Sequence, residues 1–447
     1  MRGGRSLDQV QVRKLCVGIF CVALAVRLTA IFVWDLHERP DPGGECEWER
    51  IAKNLATNGE FANPYWTPTG PTAHSAPAYP VLLSLAYGAA GTGAQGRLAC
   101  MILNAILASL AYALLPALVA LAGLSVVVGT AAALVGAIVP FRLLSELMIS
   151  AGGAPLRALT WIVMHLLTLG WFRAAPVSAA RWLAYGACWG AAFHVDPALL
   201  PVCLFWAAVL GWRARQQEGS SVASGLGLML AGLSLALLPW ALRNRKELGA
   251  WIFIRSNAGM ELALSNNDSA LPIIAYEMVP PHPEAFRQWM SRHPIGSEAQ
   301  RDRIRAVGEA AYDRERLREA LDWIRRNPKR FAVLSLQRFR YFWFYPGMGR
   351  RYRNVILYPM VILAGWGLLG MLRRRRFAGL LFLGDWVAYP LTYYVIQVSG
   401  RYRYPMEWTI LLLSCYAVWE WWNARRQPIQ PRGAVPHTRP EPHPRAA

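Results

Sequence analysis

Charge is scarce in this chain. Only 17% of its 447 residues are charged, against 55% hydrophobic, where a soluble domain carries about 25% charged residues. The apolar residues run in long unbroken stretches, which excludes a large soluble core and points to a polytopic membrane protein. Acid is scarcer than base, with 27 Asp and Glu against 47 Lys and Arg, a net +20. The surplus is almost all arginine and lies beside the apolar stretches, not on a separate basic domain. That argues against nucleic-acid binding and for membrane orientation and anionic headgroups. Cysteine gives no framework either: Cys16, Cys21, Cys100, Cys188, Cys203 and Cys415 lie within apolar runs and only Cys46 is in a loop, so no disulfide scaffold or CxxC metal site follows. No small-residue cleavage site follows the first apolar run, which reads as a retained span and not as a signal peptide. No internal repeat is visible.

What is present reads as an all-α polytopic protein with about ten transmembrane helices. They are expected at Leu15–Trp34, Arg97–Leu121, Leu124–Leu143, Pro155–Phe172, Trp182–Phe193, Ala198–Trp212, Gly225–Leu242, Val355–Leu372, Phe377–Val395 and Pro405–Trp422. Twenty tryptophans and seventeen tyrosines fit many membrane-interface crossings. With residues 1–14 in the cytoplasm, the short inner connections hold Arg173 and Arg181, Arg213 and Arg215, and Arg373 to Arg376. Every basic short loop then falls inside, as the positive-inside rule requires, and so does the Pro/Arg-rich tail 423–447, which reads as disordered. The expected organisation is a transmembrane module over 15–242 with a first outer loop at 35–96, an outer segment at 243–354, and C-terminal helices over 355–422. The outer segment carries 21 Lys and Arg against 12 Asp and Glu. Long loops escape the orientation rule, so this excess suggests an anionic partner at the outer face. Arg301 to Phe331 reads as helical, with Ile304, Val307, Ala311, Leu317, Leu321 and Ile324 buried and Pro328 ending or restarting the helix.

The first outer loop is too elaborate for a plain connector. Trp48, Ile51, Ala52 and Leu55 fall at helical spacing and make one apolar face of a short helix on the membrane surface. Glu47, Glu49, Arg50 and Lys53 fall on the polar side. Glu45 sits at the helix start, where it reads either as a capping acid or as a reactive one; Glu47 reads either as solvated or as a general base. The turn-rich Pro71 to Pro80 stretch then returns the chain through a second short helix, Tyr79 to Ala90. His74 within it reads as an ordinary loop histidine, a phosphate contact or a proton carrier.

The cations have two readings as well. Arg27, in the outer half of the first span, costs about 2.5–3.5 kcal/mol at mid-membrane on insertion scales; it either snorkels or faces an internal cavity. Glu146, at the outer end of the third span, either pairs with Arg142 or lines the same cavity. Arg243, Arg338, Arg401 and Arg403 stand at outer mouths of spans. They read as interfacial anchors or as a phosphate clamp, since guanidinium matches phosphate oxygens with paired hydrogen bonds.

In order along the chain come Arg27, an acid, an aromatic-x-x-Ile-Ala-x-Asn-Leu helix, Gly70-Pro71-Thr72-Ala73, Pro77-x-Tyr79-Pro80, an outer acid, Pro239-Trp240-x-x-Arg243-Asn244 and Arg401-Tyr402-Arg403-x-Pro405. Over about Arg27 to Trp408 this resembles the GT-C superfamily of membrane glycosyltransferases. It is most similar to bacterial proteins like the dolichyl-phosphate-mannose–protein mannosyltransferases (glycosyltransferase family 39) and the lipid A aminoarabinose transferase. The resemblance implies a polyprenyl-phosphate-linked sugar donor, a hydroxyl acceptor in the envelope, and inverting transfer at the outer face of the inner membrane. It also implies Glu47 or Glu45 as base, Glu146 as second acid, and a cationic side of Arg243, Arg401 and Arg403. Two positions depart from the pattern. Gly44 stands where many members carry Asp. Ser75, Ala76 and Pro77 stand where the aminoarabinose branch has a lysine before paired prolines, which leaves His74 as the candidate replacement. No metal-ligand cluster is visible, although acids and backbone can hold a divalent cation without a motif. The rival readings are a transporter or flippase for a lipid-linked or anionic solute, which would favour internal repeats that this chain lacks, and a non-catalytic subunit of an envelope assembly.

Overall fold

A computed structural model describes residues 9–38, 45–138, 146–172, 177–216, 222–274, 277, 282–344 and 351–426. Residues 423–426, placed in the expected disordered tail, are helical; the tail from residue 427, Arg142 and half of Pro272 to Pro283 lie outside the described residues. Among the described residues the structure is helical, with two isolated bridges, Ala62 to Pro71 and Ile273 to Val398.

The first half contains α1 (Gln9–Val33), the loop helices α2 (Glu47–Asn58) and α3 (Ala78–Ala90), then α4 (Ala94–Ala113), α5 (Leu115–Leu121), α6 (Val126–Ile138), α7 (Ala154–Trp171), α8 (Ala179–Val195), α9 (Leu200–Arg215) and α10 (Val222–Leu248). The outer segment adds α11 (Ala258–Ser265), α12 (Pro283–Arg292), α13 (Glu298–Val307), α14 (Glu309–Arg326) and α15 (Pro328–Trp343). The chain then returns through α16 (Arg351–Arg374), α17 (Arg376–Val387), α18 (Leu391–Val395), α19 (Gly400–Arg403) and α20 (Glu407–Arg426). This is an all-α, multi-pass membrane protein. Among the described residues, helices fall within all ten expected stretches, but only five are long and apolar enough alone to cross a membrane: Gln9–Val33, Ala94–Leu121, Pro197–Arg215, Val222–Leu248 and Ile356–Arg374. Several of the others lie within the bundle and carry polar groups that face protein. α7 and α17 are the clearest case: His165 meets Asp385 at 2.7 Å with neither side chain exposed, and Trp161 Nε1 donates to the same carboxylate at 3.0 Å. Fully buried Trp161, Trp189, Trp206 and Phe382 pack around this polar link.

α8 and α10 are the most closely apposed pair, and glycine makes that possible. A Cβ on Gly186 would lie 1.9 Å from the Met229 carbonyl oxygen, and one on Gly232 would lie 2.0 Å from that of Leu183. Small residues at such crossings let backbones approach and gain packing contacts. Gly186→Val therefore forces the helices apart and is expected to lower stability by about 1–3 kcal/mol. Thermal unfolding of detergent-solubilised protein checks this, with Gly170→Ala, which meets open space, expected to be neutral.

Two expectations for the outer segment change. The helix read from Arg301 is two helices, because Gly308 adopts φ +81 and breaks the run. The break resets the helical phase, so the buried face of α14 is Glu309, Tyr312, Ala320 and Trp323. Leu317 and Leu321, expected inside, are 36% and 37% exposed. Pro328 starts the next helix.

Candidate functional site

α2 begins two residues after Glu45, and Glu45, Glu47 and Glu49 meet different surroundings. Glu45 accepts from Lys53 at 2.5 Å, lies 3.5 Å from Arg50, and is 40% exposed on its side chain. Glu49 turns away from the solvent, against expectation: it is buried, takes the Tyr87 hydroxyl at 2.7 Å and pairs with Lys53 at 3.2 Å. The cause is α3, which packs on α2 and brings Tyr87 with it. Glu47 points under the outer segment with its side chain 14% exposed. Trp48 fixes this end of α2, because its Nε1 donates to the Ile149 carbonyl at 2.9 Å.

The Thr72–His74 stretch is clamped from several sides. Glu309, at the start of α14, accepts from the Thr72 and Ser256 hydroxyls and from the Ala73 N–H at 2.7 Å. Arg255 donates to the His74 carbonyl at 2.9 Å, and Arg243 donates to those of Thr72 and Phe61, each at 2.7 Å. Arg243, considered for a phosphate clamp, thus acts here as a strut beneath the loop. The outcome is a buried His74 ring, whose Nδ1 lies 3.2 Å from the Tyr65 hydroxyl.

The outer segment closes this corner with His293, just past α12. His293 Nε2 lies 3.8 Å from Glu47 Oε1. Burial pushes His293 down to about 4 and His74 down to about 3. Burial also works against a charge on Glu47, but His293, His74 and Arg401 outweigh it and hold the carboxyl below its usual range. At neutral pH the corner therefore contains an ionised carboxylate, two neutral imidazoles and a standing positive charge.

That charge is Arg401. Its guanidinium lies 5.5 Å from the centre of the Trp48 ring and 5.4 Å from that of Tyr402. Its short helix α19 is held by Glu277, which accepts from the Ser399 hydroxyl at 2.6 Å and the Gly400 N–H at 2.9 Å. A second cation approaches Trp48 from the membrane module. Gly152 and Gly153 turn the chain with φ of +65 and +70, and a Cβ on Gly152 would meet Arg157 Nη2 at 3.1 Å and the Trp48 ring at 3.3 Å. The charges acting on Arg157 include Asp196 and Arg401. Sequence reasoning missed both His293 and Arg157.

The remaining expected residues stand elsewhere. Arg338 is fully buried and donates to Asn266 Oδ1 at 3.1 Å, the Val395 carbonyl at 3.0 Å and the Ser265 carbonyl. Arg403 pairs with Glu407 at 3.0 Å and donates to the carbonyls of Phe342 and Trp343 at 3.2 and 2.9 Å. Both lock the last helices to α15 and α18. Arg27 pairs with Glu146 at 2.5 Å, and the Tyr112 hydroxyl donates to the same carboxylate at 2.7 Å. Glu146 is thus partnered by Arg27, and with Tyr112 it also lines a small cavity together with Tyr404, Glu407, Trp408 and small residues including Ala108 and Ala158.

No group of three or more His, Cys, Asp or Glu among the described residues is arranged to hold a metal ion. No protein-family model matches the chain, and no curated protein matches it in sequence. Its fold is similar to that of a membrane oligosaccharyltransferase. The crystal structure of the Archaeoglobus fulgidus oligosaccharyltransferase in the apo form aligns over 92% of this chain and 51% of its own length, with TM-score 0.54 and 14% identity. The same enzyme tethered to an acceptor peptide containing the NVT sequon aligns over 92% and 50%, with TM-score 0.53 and 13% identity. The chain spans about half the length of these structures, and identity at this level speaks for the fold alone.

Proposed function

We propose that this chain is an inverting membrane glycosyltransferase of the cell inner membrane. It moves a hexose or pentose from a polyprenyl-phosphate carrier to a hydroxyl of a lipid, glycan or protein at the outer face, with both described ends of the bundle in the cytoplasm. The observation that carries the reading is the corner around Trp48, where the ionised, largely buried Glu47 carboxylate feels the charge of Arg401 and the guanidinium of Arg157 comes up beside the Trp48 ring. Glu47 takes the proton of the acceptor hydroxyl. The freed oxygen bonds to the anomeric carbon as the bond from that carbon to the phosphate oxygen breaks. The electron pair leaves on the polyprenyl phosphate, whose added negative charge Arg401 and Arg157 stabilise in a water-poor site. The cavity that Glu146 and Tyr112 line shares Ala154, Pro155 and Ala158 with the turn of α7 that carries Arg157, and we assign the start of the carrier chain to it. The carrier delivers the sugar already activated, so a sugar-nucleotide site is not needed.

The test is reconstitution of purified protein in sealed liposomes with a radiolabelled polyprenyl-phosphate hexose and an envelope extract. Label on an acceptor with release of polyprenyl phosphate is the expected result. Label crossing the bilayer with no glycosylated product would establish the transporter reading in its place.

A further inference from the structure

His293 is heavily constrained for a residue in a charge-rich outer segment. It ends α12, its N–H donates to the Trp289 carbonyl at 3.0 Å, and its ring stacks on Trp289 with centres 4.6 Å apart. Its own carbonyl accepts the N–H groups of Gly296 and Ser297 at 3.0 and 3.1 Å. The Ile295 backbone N–H donates to His293 Nδ1 at 3.0 Å. That bond needs a lone pair on Nδ1, so the neutral ring carries its proton on Nε2. Nε2 is the nitrogen that faces Glu47, 3.8 Å away. This is longer than a hydrogen bond, as catalytic contacts in ligand-free enzymes often are.

We propose that His293 is the positioning residue of the candidate base: through a fixed Nε2–H it orients the Glu47 carboxylate and favours its ionised form, so the outer segment completes the site. The proposal rests on reading Glu47 as the base. The same tautomer argues against a metal at this point, since a metal on Nε2 would require its lone pair and a proton on Nδ1. His293 does not accept the reaction proton, because its one available lone pair is taken by Ile295. The other groups that act on Glu47 are His74 from the loop, Arg401 from α19, Arg50 on its own helix and Glu261 on α11.

Glutamine can place an amide N–H near the position of Nε2, whereas asparagine can only replace Nδ1. His293→Asn should therefore lower transfer from a radiolabelled polyprenyl-phosphate hexose about 10–100-fold and move the acid limb of its pH profile up by about one unit. His293→Gln should restore most of both. A readout free of substrate is pH-difference infrared spectroscopy of the full chain with isotope-labelled glutamate, using Glu47→Gln as the blank. The Glu47 band should titrate about one unit higher in His293→Asn than in wild type. An unmoved titration and acid limb in correctly folded His293→Asn would overturn the proposal while leaving the base reading intact. Full transfer by Glu47→Gln would instead remove the base reading itself.

Discussion

Glu47→Gln should reduce sugar transfer by about 10²–10⁴-fold, the range that a general base contributes, with little change in donor binding. Glutamine keeps the shape of the side chain and loses the proton acceptor. Glu45→Gln should leave the rate within about two-fold, because that carboxylate is paired with Lys53 at 2.5 Å and exposed, and surface pairs of this kind are worth about 0–1 kcal/mol. The contrast separates two acids that lie two residues apart. Glu49→Gln is a poor control, since Glu49 is buried against Tyr87 and Lys53 and its loss perturbs the contact between α2 and α3. The sign of the pH dependence follows from the charges. The base works only when ionised, and its pKa lies below the usual range. Activity should therefore persist through mildly acidic pH and fall on the acid side as Glu47 takes up a proton. Wild-type transfer by Glu47→Gln, measured as label appearing in acceptor, would remove this residue from the chemistry.

The first outer loop could be read from the sequence because its signals are local. Apolar spacing at Trp48, Ile51, Ala52 and Leu55 marks α2, and the prolines from Pro71 to Pro80 mark the turn into α3. Glu49 was misplaced because helical periodicity cannot register a neighbour such as Tyr87, thirty-eight residues away. The ion pair of Arg27 with Glu146 spans 119 residues. Each residue was conspicuous alone as a charge in an apolar setting, but only packing of α1 against α4 and α6 joins them. Like Arg27, Arg157 is an arginine within an apolar run, but its place in the first turn of an expected span gave it the look of an end residue. His293 offered no such signal. It sits among thirty-three Lys, Arg, Asp and Glu residues of a basic segment, and its meaning comes from a fold that lowers this segment onto α2. The arginines show the same limit. Sequence placed Arg243, Arg338, Arg401 and Arg403 on one side of the membrane, but it could not tell a guanidinium bonded to carbonyls from one that faces the site.

That distinction yields the second large effect. Arg401→Met and Arg157→Met are each expected to lower kcat about 10²–10³-fold, the scale lost when a preorganised donor to developing negative charge is removed. The charge on the leaving phosphate grows as its bond to the sugar breaks, so the cost falls on kcat more than on KM. Arg401→Lys should recover only part of the rate, because a point charge lacks the paired donors of guanidinium. Arg403, two residues on, should behave differently. It is buried, pairs with Glu407 and donates to the carbonyls of Phe342 and Trp343. Arg403→Met removes a buried guanidinium and its bonds to Glu407 and two carbonyls, and should cost about 3–5 kcal/mol of stability, visible as a lower unfolding temperature, while the folded fraction retains its kcat. Arg401→Met should also move the acid limb of the profile upward, since Arg401 helps to keep Glu47 ionised. Measuring kcat, KM and thermal stability for these variants together separates leaving-group stabilisation from helix locking. Full kcat in both Arg401→Met and Arg157→Met would place the carrier phosphate elsewhere on the outer face.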